Sequence, residues 1–275
     1  MRVRWLGWAG VEIEAAGASV VIDPLTDPGA TFAALGEAAA GTPLPAVVAP
    51  RAEGTAVAGL VTHLHRDHAD AGALAGALAD GAPLMGPPPA GGDELENLAL
   101  AQAAAELAAA GLELQPVEPW HAVEAGPFTL TALPAVDGTG DPQVSWAVEA
   151  EGITVLHLGD TLFHGYWWRM ALRHGPFDVV FAPVNGAVLA LPHRRPASPL
   201  PAALDPDQAA LAGELLGAGT VVPMHYGGYD IDPWYRPVGH AEQRFAEAAA
   251  GRPYEARLLE VGEELEPAAA ASVPA

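Results

Sequence analysis

Residues 60–68 read Leu60-Val61-Thr62-His63-Leu64-His65-Arg66-Asp67-His68, so three histidines and an aspartate fall between positions 63 and 68. The apolar run Ala56–Thr62 before them reads as the end of a buried strand, and Ala69–Leu74 after them as the first turn of a helix. A strand-to-helix loop is where an open α/β sheet presents its chemistry. On extended backbone His63 and His65 alternate and point the same way, while Asp67 and His68 at the turn reach a neighbouring position. A solitary histidine would be read as a hydrogen-bonded structural residue. Four nitrogen and oxygen donors in this order read as a metal site.

Composition sets the frame. The 275 residues fit one large α/β domain or two small ones and can bury a sizeable core, and 51% hydrophobic content excludes a disordered chain. There is no cysteine, so any metal must be held by nitrogen and oxygen. No apolar run reaches the ~20 residues of a membrane span, and the start, Met1-Arg2-Val3-Arg4-Trp5, enters a strand pattern at once. These features lead us to expect a soluble cytoplasmic protein. Twelve Lys plus Arg against 34 Asp plus Glu give a net charge of −22. Such a field repels nucleic acid and anionic membranes, and a small-molecule substrate is the expected partner.

Taken in order, residues 2–6, 11–14 and 18–23 read as short strands, the last ended by Asp23-Pro24. Residues 27–54 form a long excursion with a short helix at Thr31–Ala39. A helix over 70–80 and a short strand at Pro83–Gly86 follow. Asp93 caps a helix carrying Glu94 and Glu96 in its first turn, which runs to Ala110 and stops at Gly111. Strands are expected at Leu112–Val117, Ala122–Ala125, Phe128–Val136, Val144–Ala150, Ile153–Leu158, Phe177–Pro183, Thr220–Met224 and Tyr254–Val261. Helices are expected at 165–173, Asp207–Gly217 and Ala241–Ala249, with an irregular Pro-rich stretch over 186–206. Strands followed by a helix, twice over, make two halves of a single domain, residues 1–266. A repeat boundary is expected near 150 and a disordered tail over 267–275.

His63-x-His65-x-Asp67-His68 resembles the HxHxDH signature of the metallo-β-lactamase superfamily of metal-dependent hydrolases. Trp5–Glu14 with Val20–Pro24 looks like that family's opening hairpin. His157-Leu158-Gly159-Asp160-Thr161 looks like its GDT motif, and Val222-Pro223-Met224-His225-Tyr226 like its last histidine. In style the chain is most similar to the branch of ascorbate-6-phosphate lactonases and related phosphodiesterases. The resemblance implies a four-layer αββα sandwich of two mixed β-sheets flanked by helices, with the site at one edge between the sheets. It also implies two divalent ions, zinc or manganese, with iron a further candidate. His63, His65 and a third residue would hold the first, Asp67, His68 and His225 the second, and Asp160 would bridge them. Asp67 and Asp160 are the expected catalytic carboxylates. Asp23 would support the site from beneath, or simply close its loop.

The chain departs from the family at the third ligand, a histidine in relatives, where Asp137 stands after the strand 128–136. Asp137 either ligates as a hard oxygen donor, tilting the site from zinc towards manganese, iron or magnesium, or leaves a mononuclear centre, or marks a degenerate one. Other residues hold open readings. His164, Asn185 and Tyr226 can face the substrate or serve the fold. Trp8 stands where many relatives have histidine and is expected to pack. Trp167-Trp168 and Trp234-Tyr235 suit an apolar wall or the core, and His193-Arg194-Arg195 is the one basic cluster. The expected function is hydrolysis of a small ester, lactone or phosphoester by a metal-activated water. The alternative is a non-catalytic member of the fold that binds a metal or small ligand.

Overall fold

The computed structural model describes residues 1–93, 96–191 and 194–268. The first part of the chain runs through β1 (Arg2–Gly7), β2 (Gly10–Ala15), β3 (Ala18–Ile22), β4 (Ala58–Leu60), α1 (Ala71–Ala77), β5 (Leu84–Gly86), α2 (Leu98–Ala109) and β6 (Leu114–Pro116). It continues through β7 (Ala122–Ala125), β8 (Phe128–Pro134), β9 (Val144–Ala150), β10 (Ile153–His157), α3 (Trp167–His174), β11 (Val179–Pro183) and β12 (Val188–Leu189). The last elements are α4 (Pro206–Leu215), β13 (Thr220–Met224), β14 (Tyr235–Arg236), α5 (Ala241–Ala249), β15 (Glu255–Ala256) and β16 (Glu264–Leu265).

Two seven-stranded sheets result, ordered β16-β1-β2-β3-β4-β5-β6 and β15-β13-β11-β10-β9-β8-β7. Each begins as an antiparallel meander and then turns parallel, the first sheet at its third strand-to-strand step, β3–β4, and the second at its fourth, β10–β11. The repeat therefore divides between β6 and β7, and not near residue 150 as the sequence led us to expect.

Period-two alternation decides the layers. Val144, Trp146, Val148 and Ala150 of β9 join Phe128, Leu130 and Ala132 of β8 in a core shared with Trp5, Val11 and Ile13 of the other sheet. Ala147 and Leu133 point the opposite way, into a second core with Trp167, Met170, Ala209 and Phe245 of α3, α4 and α5. A third core places Leu74 of α1 and Leu107 of α2 on the outer face of the first sheet. Helices, sheet, sheet and helices make the four-layer sandwich. Among the described residues no helix is long and apolar enough to cross a membrane.

Several expectations need correction. Asp93 and Glu96 do exchange reciprocal bonds, Asp93 N–H to Glu96 at 2.8 Å and Glu96 N–H to Asp93 at 3.1 Å. They close only a turn, because the Ala/Leu run that sustains α2 begins at Leu98; Glu94 lies outside the described residues. In place of the helix expected at Thr31–Ala39 stands a 3-10 stretch over Ala33–Ala39, broken at Gly36, with a separate 3-10 turn before it at Pro28–Ala30. The strand expected over Tyr254–Val261 pairs only at Glu255–Ala256, since the chain must leave the second sheet and cross to β1, where Gly262 N–H meets Trp5 O at 2.8 Å. The stretch 186–206 contains β12, which pairs with β14 as a separate ribbon. Of the tail, residues 269–275 lie outside the described residues.

Candidate metal centre

The motif sits where β4 ends between two parallel neighbours, at the carboxyl edge of the first sheet. One tight turn follows, with the amides of His68 and Ala69 both donating to His65 O. Asp70 then caps α1 by accepting from Ala73 N–H at 3.0 Å. From the second sheet, Asp137 follows β8, Asp160 follows β10 and His225 follows β13. The two halves thus bring all seven expected residues together.

Three sets of donor atoms each lie within 4.8 Å of one another: His63, His65 and Asp137; His63, His68 and Asp160; and Asp67, His68 and His225. His63 Nε2 lies 2.8 Å from His65 Nδ1, and His68 Nε2 lies 3.1 Å from His225 Nε2. His225 Nε2 is 3.2 Å from Asp67 Oδ2 and 3.1 Å from Asp160 Oδ1. Asp160 Oδ1 is buried and makes no hydrogen bond. A buried carboxylate oxygen facing imidazole nitrogens off the hydrogen-bond direction needs a partner of another kind. The donor set, all nitrogen and oxygen, fits divalent metal ions.

Charge is compressed here. Burial opposes a proton on His68, but Asp67, Asp23 and Asp160 outweigh it and raise its pKa to about 10. Burial likewise opposes a proton on His65, yet Asp137 and Asp141 raise it to about 8. His63 is pushed well down by burial and by the neighbouring imidazoles of His68 and His65. Burial raises Asp160, while His68 and His225, against the effect of burial, hold Asp67 well below the usual carboxylate range.

Each donor is held from behind. Asp23 accepts from Thr62 N–H at 2.8 Å and Thr62 Oγ at 2.6 Å, and its Oδ2 stands 2.7 Å from His68 Nδ1, so it orients that ring as well as closing its loop. Trp8 donates its indole N–H to Asp67 Oδ2 at 2.9 Å while its ring packs 3.9 Å from that of His225. Packing alone therefore understates Trp8. Gln143, with its amide oxygen turned to the loop, accepts from Asp160 N–H at 2.9 Å and Thr161 N–H at 3.0 Å. Trp8, Asp23 and His225 all adopt positive φ, of 49°, 43° and 62°, so three residues of the cluster and its support carry backbone strain.

Asp137 is buried and faces His63 and His65. Its Oδ1 also accepts from Thr139 N–H at 2.7 Å, Thr139 Oγ at 2.5 Å and Asp141 N–H at 3.2 Å. It thus closes its own turn and borders the cluster at once. Sequence reasoning missed Asp141, whose Oδ2 is 2.9 Å from His65 Nε2 and accepts from Arg194 at 2.9 Å. The turn run Asp137-Gly138-Thr139-Gly140-Asp141 was the available signal. Gly138 lets this turn press against the 186–206 stretch: a Cβ there would meet Ala202 O at 2.2 Å.

A cavity of about 370 Å³ opens beside the cluster, bordered by His65, Asp67, Asp137 and Asp160. Tyr235 and Arg194 line it, whereas His164, Asn185, Tyr226, Trp167, Trp168 and Trp234 do not. His164 instead stacks on Trp167 at 3.9 Å, Tyr226 stacks on Trp5 at 5.6 Å, and Asn185 donates to Tyr235 Oη at 2.6 Å. Trp167 is core and Trp168 exposed. His193 of the basic cluster lies outside the described residues.

Comparison with known proteins bears on the family and the fold. A UPF0173 metal-dependent hydrolase of Thermococcus kodakarensis is 27% identical, covering 97% of this chain and 99% of its own. Among solved structures, an isothiocyanate hydrolase from Delia radicum gut bacteria superposes with TM-score 0.68 at 17% identity, covering 97% of this chain and 99% of that one. The diiron β-hydroxylase CmlA of Streptomyces venezuelae gives TM-score 0.69 at 15% identity over 96% of this chain and 53% of its own. At such identities the structures share the fold. The sequence model of the beta-lactamase superfamily domain matches residues 19–226, which supports the superfamily and not the finer likeness to the ascorbate-6-phosphate lactonase branch. The chain therefore belongs to the metallo-β-lactamase superfamily.

Proposed function

We propose that this protein is a metal-dependent hydrolase that cleaves a small ester, lactone or phosphoester. The observation that carries the reading is the convergence of three donor triads, linked through His63 and His68, beside one cavity. The naming of a full-length relative as a metal-dependent hydrolase supports it.

On this reading His63, His65 and Asp137 would hold one ion, Asp67, His68 and His225 would hold a second, and Asp160 would serve both. Two divalent ions, zinc or manganese with iron as a further candidate, would supply Lewis acidity and a water of lowered pKa. Asp160, whose pKa burial raises, receives the proton that the attacking water gives up. Asp67, fixed by Trp8, keeps the second group of donors in place. For an ester, the water oxygen bonds to the acyl carbon, the acyl C–O bond breaks, and its electron pair stays on the alcohol oxygen. One water proton passes to that alcohol and the other leaves as the acid ionises. The net charge of −22 favours a small-molecule substrate over nucleic acid or membrane.

The test is metal analysis after reconstitution with zinc or manganese, followed by a panel of ester, lactone and phosphodiester substrates. Turnover abolished in Asp160→Ala is the expected result. Less than about half an ion per chain would overturn the reading.

A further inference from the structure

The cavity itself discriminates among these substrates. Its apolar walls are Phe32 and Leu35 from the long excursion, Leu98 at the start of α2, Leu189 and Leu191 in and just after β12, and Tyr235 of β14. Two arginines border it, and both are already engaged. Arg66 lies 3.0 Å from Glu106, while Arg194 donates to Thr139 O at 2.6 Å and to Asp141 at 2.9 Å. Both guanidinium groups are thus partly committed to partners of this chain, which lessens the positive charge they offer a phosphate.

The carboxylates weigh in the same direction. Asp67, Asp137 and Asp160 all border the cavity. Their three negative charges offset most of what two divalent ions bring, and the aspartate at 137 removes one positive increment that a neutral histidine would leave. An anionic substrate must compete with these carboxylates at close range. A neutral carbonyl need not.

One polar group in the wall is built for such a carbonyl. Tyr235 is 6% exposed, and its hydroxyl oxygen accepts from Asn185 Nδ2 at 2.6 Å. With the acceptor side of the hydroxyl occupied, its O–H proton is available as a donor. Asn185 Oδ1 is buried without a partner, so the pair is held by packing and by this single bond.

We infer that the cavity takes an uncharged carboxylic ester or lactone with an apolar body, packed among Phe32, Leu35, Leu189 and Leu191, one of its oxygens accepting from Tyr235. This rests on the hydrolase reading above for turnover, and on the cavity alone for binding.

The experiment uses the full, metal-loaded chain with three matched probes: 4-nitrophenyl butyrate, 4-nitrophenyl phosphate and the non-hydrolysed amide N-(4-nitrophenyl)butanamide. Kinetics are read over the Asp160→Ala background, and amide binding by saturation-transfer NMR. The expected results are a kcat/KM for the ester about 100-fold above that for the phosphate, and a saturable amide contact. Tyr235→Phe should weaken amide binding about 3- to 10-fold with metal content unchanged. Leu189→Glu, on a half-buried wall, should abolish the contact. Phosphate turned over as well as the ester overturns the inference and leaves the hydrolase reading standing. Amide binding with no turnover of either probe supports the ligand class and sinks the hydrolase reading. Absence of any amide contact overturns the inference whatever the kinetics.

Discussion

Asp141 Oδ2 lies 2.9 Å from His65 Nε2, the nitrogen opposite the one that faces His63. A carboxylate in this position fixes the ring and its tautomer, and leaves Nδ1 as the free donor. Replacing Asp141 with alanine should lower metal affinity about 10- to 100-fold, because outer partners of ligating histidines carry that much. Competition against a chromogenic chelator measures it. An affinity unchanged in Asp141→Ala would remove Asp141 from the site.

Asp137 separates the readings of the centre. Asp137→Ala should cost one metal ion per chain, and Asp137→His should retain two while shifting selectivity towards zinc, since imidazole is the softer, neutral donor. Elemental analysis of the purified variants decides. If Asp137→Ala keeps the wild-type stoichiometry, the carboxylate serves only its turn with Thr139.

Trp8→Phe keeps most of the ring that packs on His225 and against Tyr229, 4.9 Å away, and removes only the N–H on Asp67. A hydrogen bond to a charged group contributes about 1.5–3 kcal/mol. Metal affinity should therefore fall at least about tenfold, with secondary structure by circular dichroism intact. Equal affinity would return Trp8 to a packing role.

Gly159 and Gly152 make a controlled pair. Both have positive φ, 64° and 73°, yet a Cβ at 159 would meet Gln143 at 2.8 Å and Thr62 at 2.9 Å, whereas at 152 it meets nothing within 4 Å. Gly152→Ala should cost about 1 kcal/mol from backbone strain alone. Gly159→Ala should cost clearly more, read as a larger drop in thermal midpoint. Equal drops would show that the loop relaxes freely.

His164 gives a pH signature away from the cluster. Burial against Trp167 lowers its pKa to about 4. The folded ring stays neutral while the unfolded one takes up a proton, so stability falls as pH drops from about 6.5 to about 4 and is level below that. Allowing for residual solvent, the loss is on the order of 1 kcal/mol. In His164→Gln, urea midpoints at pH 7 and pH 5 should lie closer together than in the parent chain. Buried His157, also lowered, keeps part of the slope.

What could be seen in advance follows from distance along the chain. His63 to His68 lie within a single loop, so their chemistry shows as a local pattern; β8 and β9 show through period-two alternation and β10 through an almost wholly apolar run. Asp141, Trp8 and Gln143 gain meaning only from partners brought near by folding, His65, Asp67 and Asp160. The β12–β14 ribbon is likewise non-local, and two-residue strands leave no periodicity to find. The Asp93 motif misled because a capping bond stabilises a turn wherever it forms, whether or not a helix continues from it.

The ligand candidates come from both sheets, His63 to His68 from one and Asp137, Asp160 and His225 from the other. A cation seated among them is thus also a rivet through the sandwich, fastening two structural repeats that otherwise meet through a shared apolar core and a few hydrogen bonds. Chelation should loosen the whole molecule and not merely silence it, since an ion that binds only the folded state adds its binding energy to the fold. Neither repeat alone carries a complete set of donors, so fragments cut between β6 and β7 should bind metal tightly only when recombined.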